Sequence, residues 1–578
     1  MKHRSTRAAS VVLGCLGVVT VALVPSTASA DHERPLDGIK HLVVIYEEKH
    51  SFDNLYGMWG SVNGHHVIGL DDATPANTTQ VDEAGNPYNC LLMSDVNLMS
   101  PPLSPDCSTS TFSFGGTSPT TAYHFGNAPY NIDHFIPATA ATCPPESDLF
   151  GAPFGLLAGL GEPGGCTRDL VHRFYQEQYQ INGGQQNRYV TGSDSAGMTM
   201  GYYDTTQLPI YQYLHSAKAP NYVVLDQFFQ AAFGGSFLNH QYLVAAAAPA
   251  FPTGLHSVLD TNAFPKAYPL YTPTIAAPVD GQVTQACGLP TTVAGVACGD
   301  YAVNTVQPPF QPTSQFGAKM PLVDDTTTPL TIGDRLTDGH VSWAWYSGGW
   351  DNANGNVNGR GWTNGAGPTC GDPNSAAAAP DLAGHGGFPY CPDFSFQTHH
   401  QPLNYYARYA PGQPDRGHLK DEQDFLHAAT TGHLPSVSFV KPLGNENEHP
   451  GYSSEANGSD HLVDLIKAIE NGPQGKSTLI VVTYDEFGGA WDHVSPPGMG
   501  TTQGVHDLFG PGTRIPALVI GKRLEHSGVD HTVYDTTSIM RTIEAQWHLQ
   551  PVAARDAAVN DLRNALHPRH HEHDGDND

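Results

Sequence analysis

The sequence predicts an α/β protein built on a mostly parallel central sheet. Short, continuous apolar runs recur along the chain, of the kind buried on both faces of a sheet. Helical patterns lie between them, and alternating strands and helices favour parallel pairing. Polar clusters rich in carboxylates follow three of the runs directly, at the carboxyl ends of strands where ligands gather in such sheets.

The first run is Leu42-Val43-Val44-Ile45-Tyr46, which ends in Glu47-Glu48-Lys49-His50-Ser51-Phe52-Asp53. The second, Tyr222-Val223-Val224-Leu225, leads into Asp226 and then Phe233-Gly234-Gly235-Ser236-Phe237-Leu238-Asn239-His240. Thr478 to Tyr484 is the third, followed by Asp485-Glu486-Phe487-Gly488-Gly489, and Ile515 to Ile520 is the fourth, stopping at Gly521. Helical periodicity is clearest at 461–470 and 536–547, with Asp460 and Asp535 at the expected N-caps. Residues 250–420, rich in Pro, Gly, Asn and Ala, read as loop-rich insertions in one domain spanning 31–560. The His- and acid-rich tail, 561–578, reads as disordered.

Composition excludes several classes. With 27 Lys+Arg against 56 Asp+Glu the formal net charge is −29, which argues against a nucleic-acid partner. The 61 Gly and 46 Pro are scattered without period, so a collagen-like fibre is excluded, and 39% hydrophobic content excludes global disorder. Residues 1–30 read as a signal peptide: Lys2, Arg4 and Arg7, an apolar segment from Ala8 to Val24, and Ala28-Ser29-Ala30 before the cut. The apolar segment runs well past Cys15, against a lipoprotein signal, and no Arg-Arg pair supports the twin-arginine route. No later run approaches the ~20 residues of a membrane span. The expectation is a secreted or periplasmic protein without a transmembrane segment after cleavage.

Eight cysteines remain beyond residue 30, and an even number in an exported chain points to disulfides. Their four close couples make 90–107, 143–166, 287–298 and 370–391 the simplest pairing. None has C-x-x-C spacing, which argues against a zinc ribbon or a thioredoxin-type site.

Glu48, Asp485 and Glu486 stand at strand ends as hard oxygen donors, suited to Mg²⁺, Ca²⁺ or Mn²⁺. Acidic pairs after apolar runs are also ordinary surface, and a Gly-Gly-Ser turn alone is weak evidence. Longer motifs carry more. Glu48-Lys49-His50-Ser51-Phe52-Asp53-Asn54-Leu55-Tyr56-Gly57 resembles the E-N-[HR]-S-F-D-N-x-x-G opening of the bacterial phosphoesterase family, which holds phospholipases C and secreted acid phosphatases. Matches continue in family order at His172-Arg173-Phe174-Tyr175 and Asn182-Gly183-Gly184, then 233–240 and Glu448-His449-Pro450. The last are Thr483 to Gly489, Trp491 to Pro497 and Val529 to Ile539. The Gly-Gly-Ser-Phe-Leu-Asn-His turn is similar to the acid-phosphatase branch.

The resemblance implies an alkaline-phosphatase-like, three-layer αβα sandwich. It implies Glu48, Ser236, Asp485 and Glu486 as ligands of one divalent ion, and His172, His399, His400 and His449 around a phosphoryl group. Ser236 would attack phosphorus and form a phosphoserine, with a histidine protonating the leaving oxygen. Broad phosphate monoesters are the implied substrates; phospholipid headgroup diesters are the alternative, and a binding protein that has lost catalysis is a third reading. Lys49 stands where the family usually has Asn; its ammonium would offset the acidic surplus and face the phosphoryl group, or else swing to solvent with the Asn chemistry simply lost. Histidines acting as cations on phosphate would set an acidic activity optimum, below ~6.5. Trp343, Trp345, Tyr346 and Trp350 read as pocket or core, His493, Asp492, His531 and Asp535 as turn caps, support or direct contacts, and His124, His134 and His240 carry no role.

Overall fold

Every residue of Thr478–Tyr484 is buried, and its Leu-Ile-Val-Val run explains why: β-branched and aliphatic side chains fill both faces of the strand. The computed structural model describes residues 38–82, 84–92, 124–134, 138, 169–193, 196–250, 282–284, 297–313, 319–363 and 395–566. Its central sheet has eight strands: β1 (His41–Glu47), β2 (Tyr222–Leu225), β3 (Trp343–Ser347), β4 (Leu419–Asp421), β5 (Val437–Lys441), β6 (Thr478–Tyr484), β7 (Ala517–Ile520) and β8 (Gly528–Asp530). In space they run β4-β3-β5-β1-β6-β7-β2-β8.

β1 is central, with Val44 beside Phe439 of β5 and Val481 of β6, both parallel. Only β7 is reversed, antiparallel to β6 and β2. Pro516 stays outside that strand, its carbonyl accepting from Thr483 Oγ1 at 2.9 Å.

The helices used below are α1 (Phe174–Ile181), α2 (Pro209–Leu214), α3 (Ser236–Ala245), α4 (Ile332–Asp338), α5 (Glu422–Thr431), α6 (Glu455–Asn471) and α7 (Thr537–Trp547). α6 packs on α2 and α5, while α3 packs on α4 and α7. With the strands buried on both faces and helices in two groups, the fold is a three-layered α/β arrangement. None of the described helices is long and apolar enough to cross a membrane.

Several expectations need correction. The stretch 250–420 is not insertion throughout, because β3, most of β4 and α4 come from it and join the core. Trp343, Trp345 and Tyr346 lie in β3 and Trp350 in the helix after it, all buried core. α6 begins well before Asp460, with Ser454 Oγ capping Asn457 N at 3.1 Å. Gly458 masks that start in sequence; a Cβ there would lie 2.4 Å from the Glu448 backbone. At α7, Asp535 Oδ1 does accept from Thr537 N at 2.7 Å. The tail does not begin at 561, since Arg563–Leu566 is helical with Leu562 and Ala565 buried. Cys90 and Cys298 are disulfide-bonded; each expected couple has a partner outside the described residues, as do the first thirty residues and 567–578.

Candidate active site

The chain leaves β1, β5 and β6 side by side, so their carboxyl ends deliver polar residues to one edge. Backbone pairing continues past the strands: Glu48 N donates to Asn447 O and Asp485 N to Glu47 O, each at 3.1 Å. Lys49 N and Glu486 N both donate to Asp485 Oδ1, at 3.1 and 2.8 Å. This turn requires glycine at 488, where φ is +63° and a Cβ would come within 2.2 Å of Lys49 O.

Ser236 opens α3, where the helix dipole presents its positive end. The preceding turn is pinned from below by Glu177 of α1. Its buried carboxylate accepts from Gly234 N at 2.5 Å, Gln230 Nε2 at 2.9 Å and Thr513 N at 2.7 Å. Gly234, with φ +90°, has the Phe174 backbone where a Cβ would stand, 2.7 Å away. Ser236 Oγ then donates to Glu48 Oε2 at 3.2 Å.

The three carboxylates are wholly buried. Glu48 Oε1 lies 2.5 Å from Lys441 Nζ and 3.0 Å from His400 Nε2. Burial works to raise the Glu48 pKa, but His400 and Lys441 outweigh it and hold the group well below the usual carboxylate range. Asp485 has less help: burial and the Glu48 charge push it up to about 8. Burial and Asp485 push Glu486 well up too. Asp485 Oδ2 and Glu486 Oε1 have no hydrogen-bond partner among the described residues, and sit 3.7 Å from His240 Nδ1 and His172 Nε2. Buried carboxylate oxygens left in this way are what a divalent cation with oxygen ligands requires, so the residues fit the expected ion. The ligand atoms of Glu48, His240 and His400 also lie within 4.8 Å of one another.

Lys49 is buried rather than turned to solvent. Its Nζ lies 3.2 Å from Asp169 Oδ1 and 3.0 Å from His172 Nε2. With the ammonium donating to Nε2, His172 carries its proton on Nδ1, 2.5 Å from Leu170 O. Burial and Lys49 push His172 down to about 4. Burial likewise takes His399 and His400 down to about 3, and His449 well below its ordinary value. The expected ring of cationic imidazoles at mildly acid pH is therefore corrected: the buried imidazoles are neutral, and the cations are Lys49 and Lys441.

All nine residues singled out from the sequence lie in this region. Glu48, Lys49, His172, Ser236, His400, Asp485 and Glu486 are linked by the contacts above. His399 meets His400 edge to face, ring centroids 4.5 Å apart. His449, Nδ1 2.7 Å from Pro450 O, is an electrostatic neighbour of Lys49, Asp169 and Glu48.

Lys441, Asp169 and Glu177 went unread, and His240, left without a role, stacks on His400 at 4.8 Å. The apolar Val437-Ser438-Phe439-Val440 stretch ahead of Lys441 was the available signal for that residue. Of the residues read as turn caps, support or direct contacts, Asp492 holds the buried Arg514 at 3.0 Å and His493 Nδ1 lies 2.6 Å from Asp53, which itself meets Arg514 at 2.9 Å.

The Phosphoesterase family matches residues 138–550. Phospholipase C B of Mycobacterium tuberculosis is 22% identical over 91% of this chain and 77% of its own. Phospholipase C A of the same organism is 23% identical over 78% of this chain and 74% of its own. A solved protein in the alkaline phosphatase superfamily from Vibrio parahaemolyticus overlaps 39% of this chain and 50% of its own, at 11% identity and TM-score 0.20. The chain belongs to the Phosphoesterase family and is a phosphoric ester hydrolase.

Proposed function

We propose that the protein is a secreted, metal-dependent phosphomonoesterase of the acid-phosphatase type, acting through a phosphoserine on Ser236. The observation that carries this reading is the Ser236 hydroxyl at the mouth of α3, donating to the buried Glu48 carboxylate at 3.2 Å. Glu48, Asp485, Glu486 and Ser236 would hold the divalent ion. When bound, that ion supplies positive charge for the phosphoryl oxygens and lowers the pKa of the serine hydroxyl.

The remaining work belongs to the chain. Ser236 Oγ attacks phosphorus in line; the Oγ–P bond forms as the bond to the leaving oxygen breaks, and water later cleaves Oγ–P to release phosphate. Glu177 holds the turn so that the attack direction is set beforehand. The Lys49 ammonium, with His172 and His449 around it, receives the phosphoryl oxygens. His399 and His400, neutral in the free site, form the imidazole pair that would take up the proton Ser236 loses and pass it to the leaving oxygen.

Substrates of this reading are small phosphate esters. The runner-up, cleavage of phospholipid diesters, is favoured by the names of the mycobacterial relatives. Assays with p-nitrophenyl phosphate and p-nitrophenyl phosphorylcholine separate the two: the monoester is expected to turn over at least 10-fold faster. Ser236→Ala is expected to lower turnover by about 10³-fold or more, and acid-quenched wild type to carry phosphate on Ser236. Undiminished turnover in Ser236→Ala overturns the mechanism.

A further inference from the structure

A second group of acids lies on the chain beside the site just described and takes no part in it. His461 of α6 places Nε2 2.9 Å from Glu422 Oε1 and 3.8 Å from Glu446 Oε2. Ligand atoms of these three residues all fall within 4.8 Å of one another. Glu422 is 2% exposed, and its second oxygen, Oε2, has no hydrogen-bond partner among the described residues.

Glu47 adds an independent observation. It ends β1, immediately before Glu48, and is 0% exposed. Neither of its carboxylate oxygens has a hydrogen-bond partner among the described residues. After Lys441, the charges acting most strongly on it are His461 and Glu422. Lys441 is already engaged, its ammonium fastened to Tyr46 O, Glu47 O and Glu48 Oε1 at 2.9, 3.1 and 2.5 Å. A buried, unpartnered carboxylate oxygen, Glu422 Oε2, thus stands in a cluster of two carboxylates and one imidazole, an arrangement that costs several kcal/mol in desolvation unless a cation or a proton answers it.

We propose that Glu422, Glu446 and His461 form a second divalent-cation site, distinct from the one at Ser236, with Glu47 as an electrostatic neighbour. One imidazole with carboxylates is a donor set for Zn²⁺ or Mn²⁺ rather than for Mg²⁺ or Ca²⁺, which prefer oxygen alone. The elements it joins give it a positioning role: an ion there ties together the start of α5, the turn after β5 and the middle of α6. It would therefore brace the turn whose Asn447 O holds Glu48 N at 3.1 Å.

The test is metal binding by the full chain, read without reference to activity. Chelator-stripped protein is dialysed against Mn²⁺ and, separately, Zn²⁺, and bound ion per chain is counted. Wild type is expected to bind two equivalents with at least one of the metals. His461→Gln and the half-exposed Glu446→Gln are each expected to lose one equivalent, or weaken it at least 10-fold, while Glu486→Gln loses the other. Circular dichroism confirms that each variant is folded, and Glu446→Gln serves if His461→Gln is not. A single equivalent with both metals, lost only in Glu486→Gln, overturns the proposal and leaves the Ser236 reading intact. Two equivalents that both survive His461→Gln and Glu446→Gln overturn it as well.

Discussion

Lys49 holds a left-handed backbone, φ +61°, and buries its ammonium between Asp169 and His172. Asn tolerates that backbone, so Lys49→Asn isolates the charge. It is expected to raise KM for a phosphate monoester about 10-fold or more with a smaller effect on kcat, because the ammonium binds the anion in ground and transition states alike. Steady-state kinetics decide it; unchanged constants would remove Lys49 from the substrate's path. Single residues of this kind were legible where a strand run ended in acid or a long motif framed them, as with Glu48, Ser236 and Asp485. Asp169 was not, because its role exists only through Lys49, 120 positions away.

At the scale of elements, the turn from Gln230 to Ser236 is shaped by a helix that precedes it by fifty residues. Glu177 accepts several N–H groups there, so Glu177→Gln sets an amide donor against a donor. The expected cost is about 1–3 kcal/mol of stability, with a fall in kcat larger than any change in KM. Urea unfolding and single-turnover trapping of phosphoserine measure the two effects separately. Continuous apolar strands such as β1 and β6 could be read directly. β4 could not: it is three residues long with Lys420 exposed between buried neighbours, and it lies in Gly- and Pro-rich surroundings. The reversed direction of β7 was hidden too, since direction depends on the link from 485 to 516, which carries no helical pattern to mark a crossover.

For the whole molecule, acidity is the dominant quantity, and part of it is buried at a cost. Glu544 of α7 is 1% exposed, and burial together with Asp556 pushes it up to about 9. The folded form thus holds a proton that the unfolded chain releases near the ordinary carboxyl value of 4.5. Its contribution is fully present below that pH and is lost as pH rises towards 9. Glu544→Gln should accordingly stabilise the protein at pH 8 by about 2 kcal/mol and change little at pH 4. Thermal melts at both pH values test this; an equal effect at the two would contradict it. Overall acidity was legible from composition, whereas which acids are buried together depends on packing between distant segments.

The central position of β1 also constrains biosynthesis. Its two neighbours, β5 and β6, are encoded nearly four hundred residues later. The first strand to emerge from the ribosome must therefore wait, apolar and unpaired, until most of the polypeptide has been made. Such remote pairing slows folding and prolongs exposure to aggregation, so newly made chains should depend on a holding chaperone until the last third arrives.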